Sequence, residues 1–201
     1  MTTLDIYIEE RLKNEIVRIN ISNSKIIEIF LNQGSSFGSN HSTTLLSIEA
    51  LKFLCKKENS ITNALDLGSG SGILSILMRK LEISKVFACE IDEYARNESI
   101  LNFASNFNNK VDYPRFIQDP LHKKYYYNLI IANISGSFLP NNFLEISNII
   151  TKNGYLIISG FNSEKEQKYS IIAKECNLLP VKTFKDSSWL SIIFKKNEIN
   201  T

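Results

Sequence analysis

The sequence predicts an α/β fold: a seven-stranded, mostly parallel sheet with helices on both faces and a terminal antiparallel hairpin. Three observations carry that expectation. Apolar strand-like runs alternate with helix-period segments from Ser42 to Glu175, the pattern of a parallel sheet covered on both sides. The stretch Asn63-Ala-Leu-Asp66-Leu-Gly68-Ser-Gly70-Ser-Gly72-Ile-Leu reads as a buried strand, a glycine-rich turn and a helix start. The last two strand-like runs, 178–184 and 189–194, are joined by a short link. A parallel crossover needs about a dozen residues or more, so this pair must be antiparallel.

Each element has its own signal. Ser42–Lys57 carries Leu45, Leu46, Ile48, Leu51, Phe53 and Leu54 as a helical stripe. Residues 64–67 are the first sheet strand and 73–81 the helix after the glycine turn. The second strand is 85–90, and the helix at 93–103 has Glu93 in its first turn, where an acid complements the helix dipole. Residues 111–117 read as a short third strand that Pro114 confines to an edge. The run 127–132, apolar apart from Asn128, is the fourth strand, with 138–150 as its helix. Asn153-Gly154 reads as a helix stop before the fifth strand, 155–159. Residues 163–176 are helical and lead into the hairpin. Residues 1–33 are expected to form an amino-terminal extension, with a helix at 6–16 and a strand at 25–31, ahead of one domain at 34–201.

At 201 residues the chain is long enough for a full core. Its 43% hydrophobic and 22% charged residues are globular rather than disordered composition. A net charge of +2 gives no electrostatic footprint for nucleic acid. Cys55, Cys89 and Cys176 lack disulfide or metal-ligand spacing, which suits a reducing cytoplasm and implies no metal. The amino terminus has no apolar signal core, and no unbroken run is of membrane length.

The chemistry gathers around the glycine turn. Asp66, at the end of its strand, can accept hydrogen bonds from the turn or from a cationic ligand group. Twenty-two positions after Gly68, the apolar run Val86-Phe-Ala-Cys89 ends in Glu90. An acid about that far downstream is where nucleotide-binding α/β units grip ribose hydroxyls. The turn is not the dinucleotide type, which needs a glycine at Ile73, and no Gly-Lys-Ser/Thr follows to hold a phosphate. Upstream lies Gly34-Ser-Ser-Phe37-Gly38-Ser-Asn-His41-Ser-Thr43-Thr44, a small-residue loop entering a helix. Its free amides and hydroxyls suit a carboxylate, or serve only as helix caps.

Together these motifs resemble a known family. Phe-Gly-x-x-His-x-Thr-Thr, then Asp-x-Gly-x-Gly-Ser-Gly-Ile-Leu, then Ala132-Asn133-Ile134 and Ile158-Ser159-Gly160 resemble the PrmA methyltransferases. Those enzymes methylate ribosomal protein L11 on amines. The resemblance implies a Rossmann-like class I methyltransferase fold and S-adenosyl-L-methionine (AdoMet) as cofactor. It places cofactor contacts on Thr44, Gly68, Glu90 and Asn133. Asp66, Ser69, Gly70, Ile91 and Asp119, at the same turn and strand ends, are expected to complete the set. Phe37, Gly38 and His41 become lid or substrate residues. Two departures stand out. Ser39-Asn40 replaces the family's usual Thr-Gly, and only 36 residues precede Phe37, too few for the family's amino-terminal substrate-binding domain.

Methyl transfer to nitrogen needs close, collinear approach of an unprotonated amine more than it needs a strong base. Asn133 is therefore expected to orient the acceptor amine, as the catalytic residue. Asp119 is either a partner for the adenine amine or a surface turn. Trp189 is expected to anchor the final hairpin in the core. The resemblance favours a protein or peptide amine, such as a ribosomal protein, as acceptor. A small molecule or a ribosomally made peptide is the alternative, and a non-catalytic binding module a third reading. The run after Asn133 lacks the Pro-Pro-aromatic sequence of base-amine methyltransferases. Oligomeric state stays open.

Overall fold

The computed structural model describes residues 6–11, 14–22, 24–32, 40–122 and 125–197. Its seven-stranded sheet is built from β4 (Asn63–Leu67), β5 (Lys85–Cys89), β6 (Arg115–Phe116), β7 (Tyr127–Asn133), β8 (Ile150–Asn162), β9 (Leu178–Asp186) and β10 (Trp189–Lys196). The order is β6-β5-β4-β7-β8-β10-β9. Pairs from β6 to β8 are parallel, and β10 runs antiparallel to both β8 and β9. The helix α1 (Ser42–Lys57) occupies the span expected for it.

Side chains alternate across the central strands, as the pleat requires. In β7, Leu129 and Ile131 join one apolar cluster, while Tyr127, Ile130 and Ala132 join the other. The first cluster lies under α1, α2 (Ile73–Lys80) and α3 (Glu93–Asn106). The second lies under α4 (Phe138–Asn141), α5 (Phe143–Asn148) and α6 (Glu166–Glu175). All of Ile73 to Met78 is buried in α2, the mark of a helix covered on every side.

What covers the outer side of α2 corrects the expected helix at 6–16. The chain there forms β1 (Ile6–Arg11), antiparallel to β2 (Asn14–Ser22). The β2 strand pairs with β3 (Lys25–Asn32), which lies where a strand was expected. Burial follows period two: Ile6 faces inward while Tyr7 is exposed, and Ile27, Ile29 and Leu31 are buried along β3. β-Branched Ile and Val suit that half-buried surface.

Three smaller expectations also change. Of 111–117 only Arg115–Phe116 is strand, at the sheet edge, because Lys110–Asp112 forms a tight helical turn held by Arg79 Nε on the Asp112 carbonyl (2.8 Å). The helix at 138–150 is two short helices. Asn142 lies between them with φ −117°, its side-chain amide donating back to the Phe138 carbonyl (2.9 Å). Asn153-Gly154 stops no helix. It sits inside β8, where Asn153 has φ 60° and the register jumps between Tyr127↔Ile150 and Leu129↔Tyr155, a bulge.

Among the described residues no helix is long and apolar enough to cross a membrane, and no group of three or more His, Cys, Asp or Glu could hold a metal ion.

The junction of turn and α2 is tightly packed. At Gly72, φ is +80° and a Cβ would stand 2.6 Å from Phe103 Cε1. Gly72→Ala should therefore cost about 1–3 kcal/mol in urea unfolding, from left-handed backbone plus overpacking. A variant as stable as the parent would show that α3 can move away from the turn.

Candidate active site

Strand order reverses between β4 and β7, and such a switch point opens a crevice at the carboxyl ends of the strands. Here it is a cleft of about 810 Å³, a size suited to a small ligand. The turn after β4 supplies Gly68 and Gly70, and the end of β5 supplies Glu90 and Ile91. Asn133 enters from the end of β7.

Backbone donors fix this wall. The Gly68 and Ser69 N–H groups both donate to the Cys89 carbonyl (2.8 and 3.0 Å), stitching the turn to β5. Glu90 accepts from the Gly70 N–H through Oε2 and from the Asp92 N–H through Oε1, each at 2.9 Å. Its carboxylate is thus held flat across the turn, at the cleft wall. At Gly68, with φ +75°, a Cβ would come within 2.8 Å of Ile134 Cγ1, so only glycine lets turn and loop approach this closely.

The sequence-derived residues divide into those on the cleft and those behind it. His41, Gly68, Gly70, Glu90, Ile91, Asp119 and Asn133 line it. Asp119 is exposed at a turn, its carbonyl accepting from the His122 N–H (3.5 Å), and it also lines the cleft. Thr44 is buried behind the cleft, where its Oγ1 accepts from Asn133 Nδ2 (3.3 Å). That leaves Asn133 Oδ1 as the acceptor this amide can offer a ligand. Ser69 is buried with its hydroxyl unpartnered among the described residues. Asp66 does not line the cleft. Its carboxylate is buried and accepts from Ser75 Oγ (2.6 Å), tying β4 to the first turn of α2. Phe37 and Gly38 lie outside the described residues.

His41 caps α1, its Nδ1 accepting from the Thr43 N–H (3.3 Å), and its ring meets Trp189 edge-on at 5.2 Å between centroids. Trp189 is therefore not a core anchor. It is half-buried at the start of β10 and forms the cleft mouth with His41, because the hairpin turns toward the site rather than away from it. Leu121, Ser135 and Phe138 also line the cleft without having been singled out in the sequence. The only signal for them was position, each lying just after a strand on the side where ligands bind.

The sheet order, terminal hairpin and switch-point cleft define the class I methyltransferase fold. The family model for ribosomal protein L11 methyltransferase (PrmA) matches residues 9–197, and the chain belongs to that family. Relatives named ribosomal protein L11 methyltransferase include one from Campylobacter concisus, 33% identical over 86% of this chain and 60% of its own length. Another, from Staphylococcus epidermidis, is 30% identical over 84% of this chain and 53% of its own length. The chain thus spans about half to three-fifths of the curated relatives it matches. A crystal structure of ribosomal protein L11 methylase from Lactobacillus delbrueckii subsp. bulgaricus shares the fold, with TM-score 0.72, 23% identity and 84% of each chain covered.

Burial pushes the Asp66 carboxyl up to about 7, with the nearby Glu90 charge a smaller contribution. Between about pH 4 and pH 7 the unfolded chain ionises this group while the folded protein keeps the proton. Stability therefore falls as pH rises through that window and levels off above it. Asp66→Asn, which still accepts from Ser75, should remove this part of the fall. Urea unfolding at pH 4.5 and 7.5 measures it, and identical pH dependence in parent and variant would mean that folded Asp66 is already ionised.

Proposed function

We propose that the protein is an AdoMet-dependent N-methyltransferase acting on a protein or peptide amine, with ribosomal protein L11 the first acceptor to test. The observation that carries this reading is the placement of Glu90 and Asn133 in one cleft, on either side of the glycine turn. The residues present fit the cofactor. Glu90 offers a carboxylate to ribose hydroxyls, Asp119 an acceptor for the adenine amine, and Ile91 and Leu121 apolar surface for the ring. Gly68 and Gly70 let a ligand approach the backbone, and Ser69 retains a spare hydroxyl. When bound, AdoMet supplies an electrophilic methyl group on a cationic sulfur.

The chain's own contribution is orientation. Thr44 holds the Asn133 Nδ2 group, so Oδ1 can accept from the acceptor amine and aim its lone pair. The same oxygen favours the positive charge that grows on nitrogen. No cleft residue need be a strong base, because an amine near its own pKa gives its proton to water. His41 and Trp189, facing each other at the mouth, form the wall past which the acceptor enters.

Glu90→Ala should weaken AdoMet binding by about 1–3 kcal/mol in calorimetry, the loss of a charged-group hydrogen bond. Unchanged affinity would remove Glu90 from the site. Asn133→Ala should retain the fold but transfer methyl groups far more slowly; turnover equal to the parent would refute the orienting role. The acceptor is read by intact mass of ribosomal protein L11 after incubation with enzyme and AdoMet. Growth in methyl-sized steps supports the reading. An unchanged mass, with AdoMet binding measured on the same sample, moves the acceptor to other peptides or small molecules.

A further inference from the structure

The glycine turn has a neighbour outside the cleft. Asn102, on α3, is fully buried, and its Nδ2 donates to the Ser71 carbonyl of the turn (2.8 Å). Its Oδ1 accepts twice from the end of β3, from the Asn32 backbone N–H (2.8 Å) and from Asn32 Nδ2 (2.9 Å). One turn along the same face, Asn106 closes a second pair with β3. Its Oδ1 accepts from the Phe30 N–H (3.0 Å), and its Nδ2 donates to the Phe30 carbonyl (2.6 Å). Two side-chain amides thus stand in for a neighbouring strand along the free edge of the small sheet. Ser99 and Phe103, on the same buried side of α3, press where a Cβ at Gly72 would lie.

We infer that Asn102 is a positioning residue that couples the amino-terminal sheet to the glycine turn, so that seating of β3 sets the shape of the ligand wall. The chemistry requires both ends. A buried amide satisfied on one side only leaves a polar group unpaired, which makes loss of either contact felt at the other. The chain is short: β3 backbone, one side-chain amide, turn carbonyl. By linkage, a ligand that tightens the turn must also tighten the seat of β3. The ligand arm of this inference rests on the AdoMet reading above; the coupling itself does not.

Amide hydrogen exchange, resolved residue by residue, tests it without ligand. The turn amides of Gly68, Ser69, Gly70 and Gly72 are all hydrogen-bonded and report its opening. Asn32→Ala leaves the turn chemically intact, since the Asn32 side-chain amide bonds Asn102 and Ser105. It removes one of the two donors on Asn102 Oδ1, the backbone N–H of residue 32 remaining, and this weakened seat should still speed exchange at the turn by about fivefold or more. Asn102→Asp keeps the acceptor for Asn32 but loses the donor to Ser71, and should loosen the turn more than β3. If Asn32→Ala speeds exchange in β3 alone, the coupling is overturned. S-Adenosylhomocysteine titration separates the two claims. Parent binding with about fivefold weaker binding by Asn32→Ala supports both, and parent binding with an unaffected variant overturns the coupling to the ligand wall. No binding by the parent overturns the cofactor reading, while the exchange result still decides the coupling.

Discussion

Two N–H groups on one carbonyl, those of Gly68 and Ser69 on Cys89, hold the ends of two parallel strands at a fixed separation. Much of the rest of the site depends on that clamp. It sets where Glu90 leaves β5, and Glu90 then closes back onto Gly70. The turn itself must run through left-handed backbone at Gly68, Gly70 and Gly72 to bring these donors round. A side chain at Gly68 would strike Ile134, and one at Gly72 would strike Phe103, so the turn is confined from the cleft side and the helix side at once.

A buried acid behind such a turn looks at first like wasted charge. Asp66 is enclosed between β4 and α2, and its environment favours the protonated form near neutral pH. A neutral carboxyl is both donor and acceptor, so it can hold Ser75 without a buried charge to neutralise. Glu90, by contrast, is half-exposed and accepts from the backbone N–H groups of Gly70 and Asp92. The two acids flank the same turn and do different things: one secures the helix, the other faces the cleft.

Most of the sheet was legible because strands buried on both faces leave unbroken apolar runs, and 129–132 is the clearest of them. Glu90 and Asn133 were legible for a related reason, since a polar residue directly after such a run lies at the strand's carboxyl end. The amino-terminal helix was misread because Ile6, Ile16 and the charged residues between them fit a helical stripe as well as a hairpin. In sequence, Leu12-Lys13 between the two runs offers none of the usual turn residues. Trp189 and Asn102 were invisible as site residues because their roles come from tertiary contact across long sequence separations, with His41 and with Asn32. No local pattern encodes such a meeting.

The last strand among the described residues, β10, is not at the sheet's edge but between β8 and β9, and Trp189 at its start meets His41 at the start of α1. During synthesis, then, β8 waits without its antiparallel neighbour until β10 leaves the ribosome. The mouth of the cleft is completed at the same moment. A nascent chain that stops short of β10 can build the glycine turn but lacks Trp189, so the presence of the full cleft lining reports that β10 has been made.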